Sequence, residues 1–503
     1  MRYVGIAAAV FCAVGCQHEA RELRVEERIA RARTLPEKLD ALLAPIEAGG
    51  DVVGAYVIDA GTGKTIYARH EHTRSLPAST LKLATTAAAL AAMGADYRFR
   101  TPVYLQGSLD GKSFTGDIVV GATGDPSFGS ARFTMTSGVC DRIAEAMAKR
   151  GISQWSGSVR VYDAIGGGEV GLGPGWAWDD AAYDYSAAPL PFVFRENAAR
   201  LMVVRNPDER CSPDFNTVFE GWTGGYTADI RDDVESPDDG LDCRRRSGSR
   251  EFQCVWHHNA DVCPHSVTAR LSLIDPVAAF HSCLDKAMTE AGIQLESAES
   301  HRRRHEVDPP VSAAKPDLLL EVASPTMGEL IRATNKESLN IYAERIGLQA
   351  ARYVTGSGTY EGLREAVDED HKARGIEPQE LVQVDGSGLS RYNLVTASAM
   401  VRILYTSLEA PYGQKLLASL PIAGVDGTLS QHVLPPEVRG HVRAKTGTLS
   451  GQRAFVGMVD RPNDPEHPNL LFALLLGNMA RPTGTTNSTF DRLSEILVAA
   501  PVK

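Results

Sequence analysis

Three short motifs lie far apart along this chain, and if they work together they dictate how it must fold. They are Ser79-Thr80-Leu81-Lys82, Ser338-Leu339-Asn340 and Lys445-Thr446-Gly447. Between them they supply a nucleophilic hydroxyl, an amine able to take its proton, a hydroxyl–carboxamide pair and a second cation. Each motif alone recurs by chance, but all three in this order point to one acyl-transfer site. A single cleft shared by residues so distant makes the stretch from about Tyr97 to Leu320 an insertion into the domain that carries the site.

On either side of that insertion the local patterns are regular. Pro36 to Ile46 reads as a short amphipathic helix. Val52 to Ile58 and Thr65 to Arg69 alternate about Ala60-Gly61-Thr62-Gly63 and predict a hairpin. Pro77-Ala78-Ser79 opens an alanine-rich run to Ala92, which puts Ser79 at a helix start. Met327 to Thr334 and Glu337 to Val354 predict helices, Arg453 to Val459 and Leu470 to Leu476 paired strands, and Thr489 to Ala499 a closing helix. Strands at both ends with helices between them predict an α/β (α+β) fold, one antiparallel sheet flanked by helices. Residues 36–96 and 321–503 are assigned to it. The inserted region, 97–320, reads as mostly β, with strand-like pieces at Val103 to Leu105, Ile118 to Val120, Val159 to Val161 and Leu201 to Val204, in two nested subdomains.

The chemistry follows from spacing. Residues i and i+3 share a helix face, so Lys82 can reach the Ser79 hydroxyl one turn away. A lysine acts as a base only when neutral, a state favoured by burial and by a second cation such as Lys445. The helix start beneath Ser79 offers N–H groups to developing negative charge. Ser338 is assigned as proton relay to the leaving amine, with Asn340 holding Lys82 and a substrate amide. Lys445, Thr446 and Thr448 suit a substrate carboxylate on a sheet edge, where Gly447 permits close backbone approach.

Composition removes some alternatives. A net charge of -11 is unlike a nucleic-acid binder, while 43% hydrophobic and 23% charged residues are ordinary for a globular chain. Arg2 precedes an apolar run, Val4 to Gly15, too short to span a bilayer, which reads as an export signal over residues 1–16. It ends Ala13-Val14-Gly15-Cys16, a pattern that makes Cys16 the lipidation candidate and predicts a periplasmic protein anchored to the membrane by lipid, with ordinary signal cleavage nearby, giving a soluble periplasmic protein, as the alternative. Residues 17–35 read as a charged tether. The remaining cysteines, Cys140, Cys211, Cys243, Cys254, Cys263 and Cys283, predict disulfides with the pairing left open. A metal site at His257, His258, Cys263 and His265 fits no common zinc spacing and is disfavoured.

At these residues the chain resembles the penicillin-recognising serine acyltransferases. It is most similar to the D-alanyl-D-alanine carboxypeptidase/endopeptidase family, the class C low-molecular-mass penicillin-binding proteins. The likeness includes Asn335-Lys336, Ala343-Glu344, Asp385-Gly386-Ser387-Gly388-Leu389-Ser390-Arg391, Ala423 to Leu429 and Arg443 to Leu449. Within the insertion it includes Gly124-Asp125-Pro126 and Pro174-Gly175-Trp176. It implies a serine DD-peptidase fold, no metal or cofactor, a Ser79 acyl-enzyme, an oxyanion hole from the N–H groups of Ser79 and Thr448, peptidoglycan and its muropeptides as substrate, and β-lactams as covalent inhibitors. The chain departs from the pattern at Leu339 and at Gln452-Arg453-Ala454-Phe455. Arg391 is a further candidate for a substrate carboxylate, and Asp179 and Asp180 beside Trp176 and Trp178 for an ammonium group on the stem peptide. Arg244 to Arg246 and Arg302 to Arg304 read as solvated charge. The competing functions are a β-lactamase or esterase, and a non-catalytic penicillin-binding envelope scaffold.

Overall fold

The computed structural model describes residues 25–165, 171–206, 215–220, 225–246, 248–259, 263–296, 304–305, 317–480 and 483–502. The export signal with Cys16, Cys211, and Arg302 and Arg303 lie outside the described residues. The organising element is the apolar run Asn469–Gly477, central in a five-stranded antiparallel sheet. With β1 (Val52–Asp59), β2 (Thr65–Arg69), β3 (Val442–Leu449), β4 (Gln452–Asp460) and β5 (Asn469–Gly477), the order is β3-β4-β5-β1-β2. Strands from both ends of the sequence therefore join in one sheet, where β5 pairs with β1, and β3 is one of its edges.

Because β5 is covered on both faces, both of its alternating side-chain sets are apolar. Phe472, Leu474 and Leu476 pack with α1 (Leu35–Glu47) and the closing helix, Thr483–Ala499. Leu471, Ala473 and Leu475 face a helical layer built around α2 (Lys82–Met93). The alanines that give α2 its helix propensity also let it be enclosed: every residue from Lys82 to Leu90 is buried. Thr34 and Glu37 form a capping box that starts α1.

One difference from the sequence pattern bears on the site. Two helices are expected here, and the boundary between them falls later than the pattern puts it: α3 is Met327–Glu337 and α4 is Asn340–Thr355. Ser338 takes φ 60°, a left-handed conformation that ends α3 and turns the chain before α4 begins.

The chain leaves for the inserted region on strand Arg100–Asp110 and returns on Asp317–Ala323, and these two pair antiparallel with Ala323 opposite Arg100. The region has its own core and is largely β. It also holds two helices the strand-rich reading passed over, Val139–Lys149 and Pro276–Glu290, joined by the Cys140–Cys283 disulfide. Cys243–Cys254 ties neighbouring strands, and Cys263 is disulfide-bonded. His258 is buried against Asp232 and Arg205, and His257 bonds Asp233. Among the described residues no cluster of His, Cys, Asp and Glu could hold a metal. Arg244 and Arg246 are exposed, but Arg245 turns inward over Phe252 and bonds the carbonyls of Ser272 and Ala181, so this run is only partly solvated.

Arg345 of α4, fully buried, fastens the two parts by donating to Gly124 O at 3.3 Å and Pro189 O at 3.0 Å. Gly124 has φ +79°, and a Cβ there would lie 2.2 Å from the guanidinium, which accounts for the glycine.

Candidate active site

Ser79 occupies a tight 3-10 turn, Ala78–Leu81, that runs straight into α2. The turn is forced. Ala78 is a non-glycine residue at φ 47°, completely buried, which is a sparsely populated conformation held by its surroundings. Lys82 follows one turn later, and its Nζ lies 2.8 Å from Ser79 Oγ.

Lys82 Nζ also donates to Asn340 Oδ1 at 2.6 Å and to the Ser387 carbonyl at 2.8 Å. The side chain has no solvent exposure. Burial pushes its pKa down to about 7, with Asp385 and Glu344 pulling the other way. At neutral pH a substantial fraction is therefore neutral. The neutral amine has two N–H groups and one lone pair. With Asn340 Oδ1 and Ser387 O taking the two N–H groups, the lone pair is left for the Ser79 hydroxyl.

Asn340 is the first residue of α4, and its Nδ2 donates to Tyr185 O of the inserted region at 2.6 Å. Lys445, on the edge strand β3, bonds Ser338 Oγ at 2.9 Å and the Thr446 carbonyl at 2.8 Å. It too is fully buried, and desolvation together with the Lys82 charge holds its pKa well below the ordinary lysine range. The structure thus brings Ser79, Lys82, Ser338, Asn340 and Lys445 together, and the two lysines sense each other across the site.

The cleft over these groups has a volume of about 750 Å³ and is also lined by Thr446, Thr448 and Arg391. Arg391 Nη1 is buried with no hydrogen-bond partner among the described residues. Asp180 and Tyr185 bring the inserted region to the wall, with the Tyr185 hydroxyl on Asp180 at 2.8 Å. Gly447 has a structural reason beyond substrate access: a Cβ there would lie 2.5 Å from the Pro77 carbonyl. The nucleophile turn is seated directly against β3. Leu339 lies between the relay and the amide, packed against the helical core.

The sequence reading missed the loop behind Lys82. Residues 385–390 are wedged between α2 and α4 and supply the Ser387 carbonyl. Glu344 accepts from Gly386 N at 2.9 Å and Ser387 N at 2.7 Å. Asp385 accepts from Gly388 N, Ser390 N, Asn393 Nδ2 and Trp176 Nε1. A backbone carbonyl leaves no mark in a sequence, so the available signal was the Asp385-Gly386-Ser387-Gly388 turn itself.

A serine whose base is a lysine one turn on, with a cationic sheet edge opposite, is the working core of the serine hydrolases that penicillins acylate. Comparison with known proteins narrows that class. Residues 35–492 match the D-Ala-D-Ala carboxypeptidase 3 (S13) family, and the chain belongs to that family. It is a serine-type D-Ala-D-Ala peptidase. A D-alanyl-D-alanine carboxypeptidase from Actinomadura is 29% identical over 86% of this chain and 80% of its own length. The carboxypeptidase DacB of Haemophilus influenzae is 26% identical over 82% of each. The crystal structure of penicillin binding protein 4 (dacB) from Haemophilus influenzae superposes with a TM-score of 0.74 at 21% identity, covering 91% of this chain and 98% of that one, so the fold is shared.

Proposed function

We propose that Ser79 attacks the carbonyl joining two D-alanine units, or the D-alanine carbonyl of a cross-bridge, in peptidoglycan stem peptides. The Oγ–C bond forms first, placing negative charge on the carbonyl oxygen, and the C–N bond then breaks as that oxyanion collapses. The Ser79 proton passes to Lys82 and returns, by way of Ser338, to the departing nitrogen. Water then resolves the acyl-enzyme. The N–H groups of Ser79 and Thr448 hold the oxyanion, and Lys445, Thr446 and Arg391 receive the substrate carboxylate. Burial and the Lys82 charge hold the Lys445 pKa down, and an arriving carboxylate favours its protonated form. Asp180 on the cleft wall supports the reading in which the inserted region receives the ammonium end of the stem peptide.

The observation that carries this reading is the environment of Lys82 Nζ, whose two fixed acceptors leave its lone pair for Ser79 Oγ. The test is product analysis on cross-linked muropeptides beside a Ser79→Ala chain. D-Alanine release, cross-bridge cleavage or both, absent in Ser79→Ala, is the expected result. Rapid penicillin hydrolysis without peptide cleavage would establish a β-lactamase instead, and stable penicillin labelling without turnover a scaffold.

The reading places the enzyme in the bacterial envelope, on the periplasmic side, lipid-anchored at Cys16. Among the described residues no helix is long and apolar enough to cross a membrane; a lipid on Cys16 would hold the chain at the bilayer surface. A Cys16→Ser chain is expected in the soluble fraction; one that stays in membranes removes the anchor from the account.

A further inference from the structure

Lys82 is held from two levels of one helix. Asn340 opens α4 and touches the amine directly, while Glu344, one turn later on the same face, reaches the loop behind it. Glu344 has no solvent exposure, and each of its oxygens accepts one N–H, from Gly386 and from Ser387. The carbonyl of that same Ser387 takes one of the two N–H groups of neutral Lys82. On the other side, Thr85 of α2 donates to the Gly386 carbonyl at 2.6 Å and accepts from Gln383 at 2.7 Å. The loop has no room to shift: a Cβ at Gly386 would lie 2.6 Å from the Ala343 carbonyl.

We propose that Glu344 is a positioning residue for the acyl-transfer step: through the 386–387 peptide it fixes the carbonyl that aims the Lys82 lone pair at Ser79. The proposal rests on Ser79 and Lys82 acting as nucleophile and base. Glu344 itself touches neither substrate nor the reacting atoms.

The groups that face the amine are Ser79, Asn340, the Ser387 carbonyl, Asp385, Glu344 and, across the site, Lys445. Those facing Glu344 are the two N–H groups, Asp385, the Tyr360 phenol and the Arg345 guanidinium. Burial and Asp385 push the Glu344 carboxyl up, and the two N–H donors favour its anion. Glutamine at 344 turns an amide N–H₂ toward one backbone N–H, which loosens the carbonyl to which Lys82 donates.

The experiment is the rate of acylation by a fluorescent penicillin as a function of pH, with thermal unfolding measured alongside. For Glu344→Gln we expect a rate about ten- to a hundred-fold lower on the plateau, with the acid limb, which belongs to Lys82, still present. Thr85→Val, which loosens the same loop from the other side, should also lose rate and keep the wild-type limb. A Glu344→Gln chain that labels at the wild-type rate, whatever its unfolding temperature, overturns the proposal. Should that chain not fold, Glu344→Asp carries the test: its charge stays but its reach falls one methylene short, so the rate should drop with the limb in place, and a wild-type rate refutes the role. Ser79→Ala separately tests the acyl-enzyme. The Glu344 comparison uses only chains that still label, so failure of one reading does not imitate failure of the other.

Discussion

Lys82→Met should still fold and should be acylated by penicillin about a thousand-fold more slowly, within the range lost with a general base. Methionine has the length to occupy the lysine tunnel with nothing to desolvate. It strands the Asn340 Oδ1 and Ser387 carbonyls, so stability reflects two opposing changes and should move little. The pH profile carries a second signature. The base must be neutral to act, so the wild-type rate should climb as pH rises through about 7, the value to which burial brings Lys82, and fall away below it. In Lys82→Met that limb should vanish with the rate. Stopped-flow acylation across pH 5 to 9 reads both, taking that window as about two units either side of the titration. A variant within ten-fold of wild type, with the limb retained, would mean that Lys445 or another group takes the proton.

Gly388→Ala should be nearly as damaging, though it removes no functional atom. Gly388 has φ +87°, and a Cβ there would stand 1.9 Å from the Ala78 carbonyl, the residue just before the nucleophile. A backbone atom cannot swing aside as a side chain can. Either the 385–390 loop or the Ala78–Leu81 turn has to move, at a cost of about 2–5 kcal/mol from overpacking plus a left-handed alanine. Both segments meet at Lys82, so a shift of about 1 Å parts nucleophile from base and lowers the rate by about a hundred-fold. Thermal unfolding and acylation rate measured on one preparation should both fall. A Gly388→Ala chain that labels at the wild-type rate contradicts the packing described here.

What the sequence revealed divides along physical lines. The sheet was legible because its strands alternate or are apolar throughout, and because strand-like segments at both ends had only each other to pair with. The nucleophile and base were legible because i,i+3 spacing places them together whether the turn is 3-10 or α. The break between α3 and α4 was read a few residues early, since nothing in Glu337-Ser338-Leu339 announces a left-handed residue. In the inserted region Pro276–Glu290 carried a start signal, Asp275 before Pro276, and its Asp275 does cap the helix. Val139, Ile143 and Met147 likewise fall at helical spacing and are buried. Both were outweighed by the surrounding strands. Hardest to read was Ser387, whose contribution is a main-chain carbonyl that any residue could supply, and Glu344, whose partners are main-chain N–H groups.

The central claim is that this fold makes Ser79, and no other side chain, the acceptor of the acyl group. Intact-mass measurement after brief exposure to benzylpenicillin, followed by peptide mapping, tests it directly. The account predicts a single adduct of one penicilloyl mass, carried by the peptide containing Ser79 and lost in Ser79→Ala. An adduct on any other residue, or one that survives that substitution, would contradict it.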